Sequence, residues 1–490
     1  MSFIQISNLT FSYPGGLEPV FKDFDIRLDT SWKLALVGDN GKGKTTLLKL
    51  LCGELKGTGA VSADLPFRRF PFKNVDEFKT AEEIIYEQIP DAELWKIRRE
   101  LNLLGLDDEI LYRSFNTLSG GEKTKLQLAA MFAGEGFALI DEPTDHLDYF
   151  GRARLSEYLS GKSGFIVVSH DRAFLDGCCD HVLALERTGE KLVRGNYSVY
   201  ADEKRKREKE EEVRRGVLET ERARLKKSAM RAAEWADKAE KGKFSKGGAD
   251  KYAAVDRGFI GACAARMQKR ANIVLNRRNA AEEELKELLK SFQEIETLTL
   301  FPEKFFRSRL VTLSGLSVKM PSKTLFKNLD FTIDEGERVA VTGGNGAGKS
   351  TLLKLICGEE IPFTGVKEIS PRLKISYVPQ TVDFDGTLKA YAGEIDESYF
   401  KAILAKFGFN PRDFENDMNA LSEGQKKKAA LARSLCEKAN LYVWDEPLNY
   451  LDVRSREQLE EAVLSSGATL LFVEHDAAFL DAVPTRRIEI

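Results

Sequence analysis

Leu36-Val37-Gly38-Asp39-Asn40-Gly41-Lys42-Gly43-Lys44-Thr45-Thr46-Leu47-Leu48 recurs as Val341-Thr342-Gly343-Gly344-Asn345-Gly346-Ala347-Gly348-Lys349-Ser350-Thr351-Leu352-Leu353, 305 residues further on. Each copy reads G-x-x-G-x-G-K-[ST]-[ST] between an apolar, strand-like stretch and an apolar run of helix formers. A glycine-rich turn that opens a helix presents backbone amides to an anion. In the first copy Gly38, Asn40, Gly41 and Gly43 shape that nest, Lys44 faces the β- and γ-phosphates, Thr45 offers its hydroxyl to Mg2+, and Thr46 lines the nest. Gly343, Asn345, Gly346, Gly348, Lys349, Ser350 and Thr351 match them in the second. The order strand, glycine loop, helix predicts an α/β fold with two tandem P-loop domains and two sites for ATP and Mg2+.

Working outward, each repeat carries further polar residues at the ends of apolar strands. Phe137-Ala138-Leu139-Ile140-Asp141-Glu142 and Leu441-Tyr442-Val443-Trp444-Asp445-Glu446 end in paired acids. Asp141 and Asp445 are placed to hold Mg2+ through its water, and Glu142 and Glu446 to polarise the attacking water. Val167-Val168-Ser169-His170-Asp171 and Phe472-Val473-Glu474-His475-Asp476 deliver two of the chain's 4 histidines to matching places. His170 and His475 are read as contacts to the γ-phosphate or the water. Trp444 is read as core.

Leu118-Ser119-Gly120-Gly121-Glu122 and Leu421-Ser422-Glu423-Gly424-Gln425 precede basic helices. A serine hydroxyl and the amides of Gly121 or Gly424 can donate to a phosphate, but each turn lies far from its own glycine loop. These motifs, present in both repeats, resemble the signature of the ATP-binding cassette (ABC) superfamily. The resemblance implies an intramolecular sandwich of two ATPs, one between the Lys44 loop and Ser422, the other between the Lys349 loop and Ser119. It places Tyr13 against an adenine, with Met320 at the equivalent position, and makes Gln380 the Q-loop glutamine. The first copy reads Phe70-Pro71-Phe72 there, so the two sites are expected to be unequal, though both keep their glutamate.

The interval between the repeats is of another kind. Net charge is −3 overall, yet the stretch from Arg222 to Arg278 holds 16 Lys and Arg against 5 Asp and Glu, leaving −14 for the rest. A basic projection on an acidic body points to a polyanionic partner. Helix formers dominate from Tyr197 to about Glu240, glycines and lysines interrupt at 241–255, and a second helical run is predicted over 256–295. The expected organisation is a first domain at 1–196, a helical hairpin linker at 197–307 and a second domain at 308–490. About 44 helical residues would reach roughly 65 Å. At the tip, Lys243, Lys246 and Lys251 are read as phosphate contacts. Phe244 either reaches a pocket of the polyanionic partner or packs on its own hairpin.

No apolar run has the ~18–20 residues of a membrane span, and no secretory leader is expected. The six cysteines, Cys52, Cys178, Cys179, Cys263, Cys357 and Cys436, lack metal-binding spacing and read as reduced, buried thiols of a cytoplasmic protein. Two cassettes joined by so long a charged linker resemble the ABC-F family, as do Asp141-Glu142-Pro143-Thr144-Asp145-His146-Leu147-Asp148 and Asp445-Glu446-Pro447-Leu448-Asn449-Tyr450-Leu451-Asp452. That resemblance implies a monomeric ATPase without a membrane subunit. It would bind the bacterial ribosome, touching 23S rRNA and P-site tRNA from the tRNA exit site. The 46 positions from Phe72 to Leu118, against 41 from Gln380 to Leu421, leave no room for a long arm insertion. Together with the linker flank, this is similar to the Lsa/Vga-type resistance proteins, which protect the peptidyl-transferase centre from lincosamides, pleuromutilins and streptogramin A. A housekeeping ABC-F translation factor and a transporter ATPase subunit are the alternatives.

Overall fold

The computed structural model describes residues 2–15, 19–186, 189–244, 298–319, 324–409 and 411–490, with Lys269, Ile273, Asn276 and Arg277. Its contacts gather Met1–Ser198 with Thr297–Ile490 into one unit and Val199–Glu296 into another.

In the first half of the larger unit the strands are β1 (Phe3–Phe11), β2 (Phe21–Asp29), β3 (Lys33–Gly38), β4 (Thr58–Ser62), β5 (Phe67–Phe70), β6 (Phe137–Asp141), β7 (Phe165–Val168), β8 (His181–Glu186) and β9 (Gly189–Arg194). The central sheet runs β5-β6-β7-β3-β8-β9, parallel except for the β8–β9 hairpin. Its inner strands read as continuous apolar text because both faces are covered: β6 and β7 are buried at every position. A second, antiparallel sheet β2-β1-β4 lies to one side. Ile4, Ile6, Leu9 and Leu28 from it meet Leu34, Leu36, Leu47 and Leu139 in one core.

The second half repeats this plan. Its strands are β10 (Phe301–Pro302), β11 (Arg309–Lys319), β12 (Thr324–Asp334), β13 (Arg338–Thr342), β14 (Phe363–Ile369), β15 (Ile375–Val378), β16 (Lys438–Ala439), β17 (Leu441–Asp445), β18 (Leu470–Val473) and β19 (Arg486–Glu489). The central sheet is β15-β17-β18-β13-β19, and β12-β11-β14 is its antiparallel companion. Trp444 is fully buried and donates from Nε1 to Ser434 Oγ at 2.9 Å, as a core residue should. In both halves the parallel strands end at one edge, where the glycine loops and the acid pairs stand; ligands bind at that edge in sheets of this kind.

The smaller unit is described chiefly through one helix, Tyr197–Phe244, of 48 residues. At 1.5 Å per residue this is about 72 Å. The helix passes through Lys241 and Gly242, where the sequence suggested a break. One interior glycine costs only about 1 kcal/mol against alanine, too little to stop so long a run of good formers. Lys246, Lys251, Met320, Cys263 and the predicted second helical run, save its four residues named above, lie outside the described residues, as do the side chains of Lys243 and Phe244. Among the described residues no helix is long and apolar enough to cross a membrane.

Candidate nucleotide sites

Each glycine loop is drawn tight by its neighbours. Gly43 and Gly348 stand just before the loop helices at φ 90° and 104°. A Cβ at Gly43 would lie 2.6 Å from Val20 Cγ1, and one at Gly348 would lie 2.9 Å from Leu325 Cβ, so both the conformation and the space require glycine. The helix that follows, Lys44–Leu51 or Lys349–Ile356, points its N-terminus at the loop. Lys44 Nζ donates to Gly38 O at 2.7 Å, and Lys349 Nζ to Gly343 O at 2.8 Å. Burial lowers the pKa of both lysines, so each ammonium gains from a phosphate brought beside it.

The edge that carries the acid pairs is built by backbone geometry that no periodicity reveals. Glu142 and Glu446 both adopt positive φ, 48° and 53°. Their amides donate to Val168 O and Val473 O, each at 2.9 Å. A non-glycine residue held in the left-handed region is strained, and the neighbouring strand holds it there in each half. The turn delivers the carboxylate to the next strand end. Glu142 Oε1 lies 3.2 Å from His170 Nε2, and Glu446 Oε1 lies 3.7 Å from His475 Nε2. Burial, then Lys44, keeps His170 well below the usual histidine range; burial, then Lys349, lowers His475 to about 4. Both imidazoles are therefore neutral at physiological pH and able to donate one N–H.

The two glutamates are surrounded differently. Glu446 accepts from Gln380 Nε2 at 3.2 Å and from Asn449 Nδ2 at 2.6 Å. In the first half the position of Asn449 is taken by Asp145, and no glutamine stands at the place of Gln380. Burial, followed by the charge of Asp145, pushes Glu142 up to about 8. Glu474, where the first half has Ser169, accepts from the amides of Leu448 at 2.7 Å and His475 at 2.9 Å.

A cavity of about 460 Å³ opens at the first loop, lined by Tyr13, Lys44, Thr45, Glu142 and His170 together with Tyr450 and Arg456 of the other half. That volume suits a small-molecule ligand. Tyr13 donates to or accepts from Thr46 Oγ1 at 3.0 Å. The amide of Asn40 donates to Asp452 Oδ2 at 3.4 Å, and its side chain to Tyr450 O at 3.3 Å, so the loop of one half is held by the turn after the acid pair of the other. Ser422 and Gly424 are not among the residues lining the cavity. Gly424 packs against Tyr450, whose ring would be 3.0 Å from a Cβ there. Ser119 and Ser422 instead cap their own helices: their hydroxyls accept from the amides of Glu122 and Gln425, each at 3.3 Å, in reciprocal capping boxes.

The residues present suit a magnesium nucleotide. Thr45 Oγ1 donates to Asp141 Oδ1 at 3.2 Å. Asp445 is fully buried and both its oxygens lack a partner in hydrogen-bond geometry, with the Ser350 hydroxyl and Lys427 close by. A hydrated divalent cation satisfies such a carboxylate. Among the described residues no three His, Cys, Asp or Glu gather to hold a metal on their own. When bound, Mg2+ supplies charge neutralisation of the phosphates during transfer.

Several participants escaped the sequence reading. Arg152 Nη1 donates to Asp171 Oδ2 and Arg456 Nη1 to Asp476 Oδ2, each at 3.0 Å and buried. The repeated Leu-Asp-x-x-x-Arg, at Leu147-Asp148 and Leu451-Asp452, was the available signal. Tyr450 and Asp452 stood within the stretch 445–452 without an assigned role, and Arg69 carried no signal.

Comparison with known proteins agrees with this architecture. The sequence model described as ABC transporter matches residues 21–145 and 326–449. The ribosome protection protein VmlR of Bacillus subtilis is 31% identical over 490 residues, covering 98% of this chain and 85% of that protein. The energy-dependent translational throttle protein EttA of Haemophilus influenzae is 26% identical over 96% of this chain and 89% of its own. A solved structure of the RNase-L inhibitor superposes with a TM-score of 0.63 at 22% identity, covering 99% of this chain and 87% of that one. It shares the fold, two tandem ABC ATPase domains.

Proposed function

The chain belongs to the ABC-F family of ATPases and hydrolyses ATP, and from that premise we propose that it is a ribosome-binding protein that protects the large subunit from antibiotics of the peptidyl-transferase centre. The observation that carries this reading is the likeness to VmlR, which runs through both cassettes and the charged segment between them, 98% of the chain. The basic excess of that segment suits rRNA and tRNA, whose surfaces are dense in phosphate. In this reading two ATPs close the cassettes on each other. Lys44, Thr45 and Asp141 serve one ATP, and Lys349, Ser350 and Asp445 the other. Ser422 and Ser119 reach the phosphates across the interface on closure. Glu142 and Glu446 act as bases beside His170 and His475, while Tyr13 stacks on adenine and Gln380 meets the second site. The closed monomer works in the cytoplasm, entering the ribosome from the tRNA exit site. Residues 241–255, with Lys243, Phe244, Lys246 and Lys251, then face the P-site tRNA and the drug pocket.

The second reading, a housekeeping translation factor, is supported by the likeness to EttA. Two measurements separate them. The Glu142→Gln, Glu446→Gln variant with ATP should co-sediment with ribosomes, and failure to do so would refute both. Expression of the native chain in a susceptible bacterium should raise inhibitory concentrations of lincosamides, pleuromutilins or streptogramin A. Stable protein with no rise for any of them, but altered elongation without drug, would favour the housekeeping role. Co-purification with a membrane subunit and no ribosome pelleting would instead favour a transporter subunit.

A further inference from the structure

Arg69 ion-pairs with one of the two strand-end aspartates, and among the described residues no side chain does so with the other. Arg69 lies on β5, where register pairs it with Leu139 of β6, two residues before Asp141. The same register in the second half pairs Tyr377 of β15 with Val443 of β17, two residues before Asp445. Arg69 and Tyr377 are therefore structural equivalents in otherwise repeated surroundings. Arg69 Nη2 donates to Asp141 Oδ2 at 3.0 Å, and Nη1 to Glu54 Oε2 at 3.1 Å, so the guanidinium is clamped between two carboxylates. With Thr45 on Oδ1, both oxygens of Asp141 are engaged.

Nothing comparable happens in the second half. Tyr377 is partly buried with its hydroxyl unpartnered, and Asp445 has neither oxygen hydrogen-bonded. The nearby charge there, Lys427, donates from Nζ to the backbone carbonyls of Asp445 and Pro379 and not to the carboxylate oxygens. The matching residue in the first half is the uncharged Thr124.

We propose that Arg69 makes the two divalent-cation subsites unequal, the Asp445 subsite binding the ion of the nucleotide complex more tightly and the Asp141 subsite more weakly. A hydrated cation needs acceptors for its waters, and at Asp445 both oxygens are available with no partner to displace. At Asp141 the ion must share Oδ2 with a fixed guanidinium whose positive charge opposes it. Giving up one charge-assisted hydrogen bond corresponds to roughly a tenfold difference in affinity. The inference rests on the assignment of one ATP and one metal ion to each half.

Manganese tests it without reference to turnover. The full-length protein, saturated with a non-hydrolysable ATP analogue, is titrated with Mn2+ and the free ion read from its electron paramagnetic resonance signal. Two classes should appear, separated by roughly tenfold or more. Ser350→Ala should weaken the tighter class and Thr45→Ala the weaker. Arg69→Met should tighten the weaker class by roughly tenfold and merge the two, while Arg69→Lys keeps them apart. Because Arg69→Met leaves Glu54 and Asp141 unpaired and could disturb folding, Tyr377→Arg provides the converse test and should weaken the tighter class. Two equal classes in the native chain, or a weaker class unmoved in folded Arg69→Met, would overturn the role of Arg69 alone. No nucleotide-dependent uptake of Mn2+ would overturn it together with the assignment on which it rests.

Discussion

Arg172, in the first half of the chain, donates from Nη2 to Glu460 of the second half at 2.7 Å, with Glu457 at 3.7 Å from Nη1. The link is one-sided. The repeat places Ala477 at the position of Arg172, and Ala153 and Ser156 at those of Glu457 and Glu460. One edge of the contact between cassettes thus carries a part-buried ion pair and the other small residues. Arg172→Ala should lower the unfolding free energy by about 1.5–3 kcal/mol, the range for hydrogen bonds to charged groups. Denaturant unfolding of Arg172→Ala, Glu460→Ala and the double variant would measure the coupling, and strictly additive effects would contradict a direct pair.

The environment of Glu142 predicts a pH dependence of the first site. Glu142 is raised to about 8 by burial and by Asp145, and a general base works only as its carboxylate. With Glu446→Gln silencing the other base, turnover should climb as pH rises through about 8 and be lost below it. Asp145→Asn removes the like charge and supplies the donor that Asn449 gives Glu446, so the limb should move to lower pH. An unmoved limb in that variant would refute the assignment.

The paired arginines behind the active edges are predicted to matter for folding. Arg456 and Asp476 are buried together, and removing one partner of such a pair leaves the other charged and uncompensated. Arg456→Met should cost about 3–5 kcal/mol. Replacing both, as Arg456→Met with Asp476→Leu, should recover part of it. Urea titrations would check this, and a single-variant loss no larger than the ~1 kcal/mol of an exposed pair would argue against it.

Ser119 is asked to do two things, and substitutions can part them. Ser119→Ala loses the cap observed on the helix Gly120–Ala133 and should cost about 1 kcal/mol. Ser119→Asp keeps a capping oxygen but sets a negative charge where the proposed closed state brings phosphate. Its melting temperature should stay near the native value while ATP turnover falls at least tenfold. Native turnover in Ser119→Asp would show that the residue only caps.

How far the sequence could be read depended on the range of the interaction. The glycine loops, the strand-end acids and the histidines were legible because each is a local arrangement, a turn or a strand end whose residues stand together in the chain. Of the interruption expected at 241–255, only the first four residues are described, and they continue the helix because one glycine is weak against a long run of helix formers. Asp145 and Asn449 were in view as letters of a motif. Their opposite effects on Glu142 and Glu446 emerge only when distances and burial are known. Arg69 left no local signal, since its meaning lies in the strand beside it.

By itself, then, the sequence determined a duplicated phosphate-binding fold, the chemistry each repeat can support, and a basic helical insertion between them. Tertiary structure alone decided that Asn40 meets Tyr450 and Asp452, more than four hundred positions away, and that one strand-end aspartate is bridged by arginine while its twin has no hydrogen-bond partner. The physical reason is that periodicity and turn chemistry act over a few residues. Burial, register between strands and the resulting electrostatics are properties of neighbours that the chain brings together only by folding.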